Sequence, residues 1–359
     1  MTFTEQFPVL NNYTYVNTAS SGILSQSLLN WRRQHDMDFM EQGSNFRLPQ
    51  ADFLQQVKNS VARLFHSNVE NTFLVPNFSY GFNILLDGLP GKQRVLLVQE
   101  DYPSINYPVK SRGYAYEHVV ADELLEQNLL ARIEQFKPTL LAFSLVQYIS
   151  GIKIDPAFIK TLKHTYPELL LVADGTQYCG TEPFNFVESG LDALMASGYK
   201  WMLSGYGNGF ALLNENLASQ LYAGNQQKTF PSEPFLQGRS PLSFYFEPGH
   251  QDTLTFGSLK QAIADLEQTG LANIASHIQQ LSQQALNAFA DRGLLAEAIL
   301  KRKQHSSIFN LNLTEQVFNQ LQQAGVLTSL RGPGIRVSFH FYNTEQDLER
   351  LLEVIDQHR

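Results

Sequence analysis

Hydrophobic residues in this chain gather into short blocks. TFLV at 72–75, RVLLV at 94–98, TLLAF at 139–143, LLLVA at 169–173 and DALMA at 192–196 are each apolar on both faces and bounded by turn residues. A strand that is apolar on both faces sits between two layers of helix, so the blocks predict a buried, mostly parallel sheet. Between them the period becomes helical. Phe53, Val57, Val61, Leu64 and Phe65 share one face of 53–65, and Leu125, Leu129, Ile133 and Phe136 share one face of 122–136. Alternating strands and helices predict an α/β, doubly wound domain.

Beyond about residue 215 the pattern loosens. A stretch rich in Gly, Pro and polar residues at 223–257 reads as loop, and 259–291 as one long helix. A strand at 307–313, a helix at 314–323 and the strand IRVSFHF at 335–341 follow. A last helix opens with Thr344 and Asp347 in capping-box spacing. This half predicts a smaller α+β domain. The expected division is a large domain over 15–235, with 1–14 and 236–359 forming the small one.

Composition narrows the function. The chain has 359 residues, 43% of them apolar, and a single cysteine, Cys179, which leaves no disulfide framework or Cys-only metal cluster. No apolar run approaches the roughly 18 residues of a membrane span. The start, MTFTEQFPVL, lacks the basic and long apolar regions of a signal peptide. Net charge is −8 without a basic block, which argues against nucleic acid as a partner. The expectation is a cytoplasmic protein with a small-molecule substrate and no membrane partner.

Two charged residues stand where such a sheet places its chemistry. LLLVA runs into Asp174, and open α/β sheets bind ligands at the carboxyl ends of their strands. Lys200 follows the next strand, ahead of the Gly-rich stretch WMLSGYGNGF. Alone, Asp174 reads as a turn residue and Lys200 as a solvated surface lysine. Together they suit pyridoxal 5′-phosphate (PLP), whose pyridine nitrogen needs a carboxylate and whose aldehyde needs a lysine amine. A phosphate needs N–H donors at a helix start, and Asn77, Phe78 and Ser79 in VPNFSYGFN can supply them, although Asn and Ser are also ordinary caps. Ser197 and Tyr199 add hydroxyls beside Lys200. Tyr102, in QEDYPS, sits at a strand end where a ring can cover one face of the cofactor.

In this order the motifs resemble the class V aminotransferase group of fold type I PLP enzymes, which includes isopenicillin N epimerase-like proteins, kynureninases and cysteine desulfurases. VADGTQYCG resembles the Asp-x-x-Gln signature, and SGYKWMLSGYGNGF the lysine loop, with Tyr199 where many members place His. YTYVNTASSG resembles the substrate-side segment carrying Asn17 and Ala19, and SLVQYISG the segment over the cofactor, with Gln147. Phe78 departs from the small residue often found in the phosphate turn and is expected to crowd it. Asn208 stands where a small hydroxyl residue is common. The resemblance implies that Gln177 bonds the cofactor's phenolic oxygen. It implies that Ser197, Tyr199 and a partner subunit's Gly257-Ser258 segment hold phosphate. It also implies that Arg336 clamps the substrate carboxylate, with Arg331 the lesser candidate. A homodimer with shared active sites is implied too. Loops 20–24 and 223–250 are the expected sources of contacts to the substrate side chain.

The expected reaction is transamination of a small α-amino acid. Elimination or epimerisation on the same cofactor is the alternative, and a catalytically silent binding protein is a third. Cysteine desulfurases carry a nucleophilic Cys shortly before the arginine segment. Here that region reads TSLRGPG.

Overall fold

A computed structural model describes residues 3–228, 233, 236 and 238–359. Its strands are β1 (Thr14–Tyr15), β2 (Thr72–Val75), β3 (Arg94–Val98), β4 (Ala115–Val119), β5 (Leu140–Ser144) and β6 (Leu170–Asp174). There follow β7 (Ala193–Ser197), β8 (Gly209–Leu213), β9 (Ile308–Leu311), β10 (Val326–Leu327), β11 (Ser329–Arg331) and β12 (Gly334–Ser338). β2 to β8 form one seven-stranded sheet in the order β2-β8-β7-β6-β5-β3-β4. Only β8 runs antiparallel to its neighbours. Helices cover both faces, and two apolar clusters form there.

All five apolar blocks are strands of this sheet. Two more strands escape that pattern, for opposite reasons. β4 is the edge strand, and its partly exposed AYEHV breaks any continuous apolar run. β8, GFALL, is fully buried, but it follows the glycines of the lysine loop so closely that it reads as part of them.

The long helix expected over 259–291 is two helices, Thr253–Thr269 and Leu271–Asp291. They break at Gly270, whose φ of +85° is open to a residue without Cβ. The first begins earlier than expected because the Asp252 carboxylate accepts the N–H groups of Leu254 and Thr255. It packs on the helices Gln26–Gln42 and Gln50–Leu64. The second faces the small sheets, where Phe289 meets Phe309 of β9 edge-on at 5.3 Å. At the other end β1 pairs with β10, and Asn17 bridges Ser338. Residues 14–17 thus lie against the C-terminal sheets, and the helical stretch of the C-terminal half is interrupted at Gly270.

The final helix carries the expected capping box, with the Thr344 N–H donating to Asp347 Oδ2 at 2.8 Å. No helix among the described residues is long and apolar enough to cross a membrane.

Gly257 is a packing glycine. A Cβ there would stand 2.2 Å from the Trp31 ring and 2.8 Å from Phe53. Gly257→Ala should push the Gln26–Gln42 and Thr253–Thr269 helices apart and cost about 1–3 kcal/mol in chemical denaturation. An unchanged midpoint would count against this packing.

Candidate active site

The sheet opens at the carboxyl ends of β5, β6 and β7 onto a cavity of about 330 Å³. Asp174 ends β6 and Lys200 follows β7, and both line the cavity while being almost wholly buried, at 5% and 6% exposure. Burial disfavours charge on each. The Asp174 carboxyl is pushed up to about 7 by burial, against hydrogen bonds from Thr176 and the charge of Lys200. The Thr176 N–H reaches Asp174 Oδ1 at 2.8 Å. The Lys200 amine is pushed down to about 8 by burial first and then by Arg336, while Asp174 pulls it up. Its Nζ stands 5.7 Å from the Tyr102 ring centre and 5.5 Å from that of Tyr199.

The lysine loop is held by close approach. The Gly22 N–H donates to Tyr199 O at 2.8 Å, and a Cβ on Gly22 would stand 2.2 Å from Lys200 O. The buried amide of Asn208 closes the turn by donating to Ser204 O and Gly205 O and accepting from the Ser204 hydroxyl. Its place in the loop is therefore structural. Leu203 is held at φ +56°, a conformation side chains rarely adopt.

Behind the loop runs a directed chain of hydrogen bonds. Burial pushes His340 down to about 3, so its ring is neutral, and Nε2 donates to Trp201 O at 2.9 Å. The Trp201 indole can only donate, and it does so to Gln177 Oε1 at 2.7 Å. That fixes the amide, leaving Gln177 Nε2 to donate to Ala19 O at 2.9 Å. Gln177 lines the cavity with one N–H uncommitted among the described residues.

Asn77 caps the helix Phe78–Gly88 by accepting from Tyr80 N–H, and Ser197 Oγ accepts from Phe78 N–H. The Ser79 N–H and hydroxyl are bonded to none of the described residues. Across the site Arg336 is 2% exposed, and one of its terminal nitrogens donates to Tyr148 O at 2.7 Å. Its Nε is buried without a partner, as is Asn17 Oδ1. No carboxylate among the described residues pairs with Arg336, and burial lowers its guanidinium to about 10. A buried, unpaired guanidinium is costly unless an anion arrives to meet it.

The sequence matches the Aminotransferase class-V family model over residues 40–351. The chain belongs to the class V aminotransferases. It is 21% identical over 361 residues to the uncharacterized aminotransferase YcbU of Bacillus subtilis (strain 168), covering 98% of this chain and 96% of that one. Among solved structures it resembles a C-DES mutant with glycine covalently linked to the PLP cofactor. That match has a TM-score of 0.85 at 19% identity, covering 98% and 99% of the two chains. It also resembles the cysteine desulfurase of Thermococcus onnurineus NA1, with a TM-score of 0.83 at 16% identity over 99% and 96%. At such identity the likeness shows the fold, that of the fold type I PLP enzymes.

Class V aminotransferases use PLP, and the residues present fit it. A buried carboxyl held between charge states, a buried amine and a capped helix start with open donors surround one cavity. Of the expected contacts, Asn77, Ser79, Tyr102, Asp174, Gln177, Ser197, Tyr199 and Lys200 line it.

Others do not. The Phe78 side chain turns into the core, stacked on Phe82 at 5.3 Å, so only its N–H faces the turn and it crowds nothing. Gln147 is spent on main-chain groups, donating to Glu100 O beyond β3 and accepting from Ile149 N–H and Ser150 N–H of its own turn. The pocket residue is its neighbour Tyr148, which begins the turn that the Gln147 side chain caps. Ser258 is fully buried in the Thr253–Thr269 helix, bonded by Arg32 Nε and donating to Leu254 O, so it cannot reach a phosphate. Ala19 has both main-chain groups committed, its N–H to Ser338 Oγ and its carbonyl to Gln177. Of the expected 223–250 loop, 229–232, 234–235 and 237 lie outside the described residues, and the rest includes two short helices, Ala223–Gln226 and Ser243–Phe246.

Several residues escaped the sequence reading. Thr176 sits on Asp174, and the D-x-T spacing of an Asx turn was the available signal. Asp101 accepts from Tyr102 N–H, Ser144 N–H and the Ser144 hydroxyl, tying the β3 and β5 ends. Tyr206 stacks on Tyr199 at 4.7 Å and donates to Ser21 Oγ. Nothing in the sequence pattern marks that contact.

Because the Lys200 amine titrates near 8, its neutral form appears well below the usual lysine range. The rate at which cofactor-free protein takes up PLP, read from visible absorbance, should rise through pH 8 and level off above it. A rise continuing to pH 10 would contradict the buried site, and Lys200→Ala should show no visible band.

Proposed function

We propose that this chain is a PLP-dependent enzyme that transfers the amino group of an α-amino acid. One observation carries the reading. A buried lysine with a lowered pKa and a buried carboxyl with a raised one line one cavity, and the charge of a buried arginine without a carboxylate partner, Arg336, acts on that lysine. Asp174 would hold the pyridine nitrogen, Lys200 the aldehyde end, and Ser79, Ser197 and Tyr199 the phosphate. When bound, the cofactor supplies an electron sink for the bond broken at the substrate α-carbon. Arg336 binds the substrate carboxylate through its unpartnered Nε and orients that bond. Lys200, neutral above about pH 8, accepts the α-proton and returns it. The Tyr102 ring and the Ser20–Gly22 segment keep water from Lys200.

β-Elimination is the second reading, because one solved structure of similar fold is C-DES, a cystine C-S lyase (TM-score 0.84, 19% identity). A route through a protein-bound persulfide finds no group here. Cys179 is buried, and burial pushes its thiol well up.

A homodimer belongs to this proposal. The helix Gln26–Gln42, tied to the lysine loop by Arg32, exposes Met37, Phe39 and Met40, the last 76% exposed. Light scattering should return twice the chain mass.

Mixing the PLP-loaded protein with single amino acids and no amino acceptor separates the reactions. Aminotransfer releases one equivalent of 2-oxo acid per site and stops, whereas elimination continues. Arg336→Gln should lower kcat/KM about 10²-fold or more, since it removes one half of a buried charge pair. An unchanged kcat/KM would move the carboxylate clamp elsewhere.

A further inference from the structure

Arg336 is not the only arginine on its face of the hairpin. β11 and β12 pair antiparallel, with Ser329 opposite Arg336 and Arg331 opposite Gly334. Alternate residues of a strand share a face, so Arg331 lies on the side of Ser329 and hence of Arg336. Such diagonal neighbours stand about 7–8 Å apart. The turn that follows packs on the cavity rim. A Cβ on Gly332 would stand 2.6 Å from the side chain of Ile149, the residue after the cavity-lining Tyr148. Asn310 Nδ2 donates to Arg331 O at 2.7 Å and holds the strand there.

Arg331 has no work inside the protein that would explain its charge. Its guanidinium donates to Leu330 O, the carbonyl of its own neighbour, and pairs with no carboxylate among the described residues. The charge is felt in the cavity, where it lowers the pKa values of Lys200 and Arg336. Asn77, Ser79 and Ser197 give the cavity neutral donors, while both arginines stand just outside its lining, on the hairpin that meets Tyr148 and Ile149. The site thus offers two fork-shaped cations where one carboxylate needs one.

We infer that Arg331 binds a second anionic group of the substrate, which is therefore an α-amino acid whose side chain ends in a carboxylate or equivalent oxyanion. This rests on the reading of Arg336 as the α-carboxylate clamp. Arg336 is buried and meets the invariant part of the substrate, while Arg331 is exposed at the rim, where the side chain varies. There it also attracts acidic substrates and discriminates against basic ones.

Unreactive acids test this at equilibrium. Calorimetric titration of the PLP-loaded protein with succinate and glutarate, against propionate and butyrate, gives the ratio of dicarboxylate to monocarboxylate affinity. The expected ratio is about tenfold or more in favour of the dicarboxylates. Arg331→Gln should bring it to about one, and Arg331→Lys should restore part of it. Arg331 is exposed, so the melting temperature of these variants should match that of the parent and exclude misfolding. A ratio near one in the parent, or one unchanged in Arg331→Gln, overturns the role of Arg331 and leaves Arg336 standing. If none of the four acids binds, the clamp and the second site fall together.

Discussion

Burial of two opposite ionisable groups at neighbouring strand ends is the constraint on which the site depends. Neither Lys200 nor Asp174 can shed its desolvation cost by reaching water, and each is held near its change of charge state. A carboxyl near 7 and an amine near 8 are poised for a ligand that brings a ring nitrogen and a carbonyl. In solvent the same residues would be a carboxylate and an ammonium, without the neutral amine that the chemistry requires. The surrounding β5, β6 and β7 are buried and apolar, so the sheet that positions the pair also sets its electrostatics.

The N-terminal segment and the small sheets complete what the large sheet begins. Thr14–Gly22 is pinned at both ends, to β10 through β1 and to the lysine loop through Gly22. In between, Ala19 connects Ser338 of β12 with Gln177 beside Asp174. The His340, Trp201 and Gln177 chain makes a second link between the same two regions. Movement of β12 relative to the large sheet would therefore be felt at the cavity-lining amide of Gln177, and Arg336 rides on that strand.

The unpaired Arg336 is the counterpart of the raised Asp174. One is a buried cation lacking an anion and the other a buried carboxyl lacking a full cation, and the charges of both act on Lys200. A protein that used these residues for stability alone would pair them. An anionic ligand at Arg336 would offset that cost.

The sequence by itself determined the layers and the central pair. Continuous apolar blocks of strand length between turn residues fit strands shielded on both faces, and Asp174 and Lys200 follow two such blocks that pair in the sheet. What the tertiary structure alone decided is how neighbouring residues divide their labour. Gln147 and Tyr148 are adjacent, yet one holds the backbone and the other lines the cavity, because the Gln147 side chain caps the turn that Tyr148 begins. Phe78 lies in a phosphate-turn motif, but its ring follows the helix into the core. Gly257 and Ser258 have the composition of an anion-binding turn, yet Asp252 starts a helix ahead of them and Trp31 and Arg32 take up their surfaces. Local pattern encodes period and strand ends. Which side of an element faces the ligand depends on contacts made hundreds of residues away.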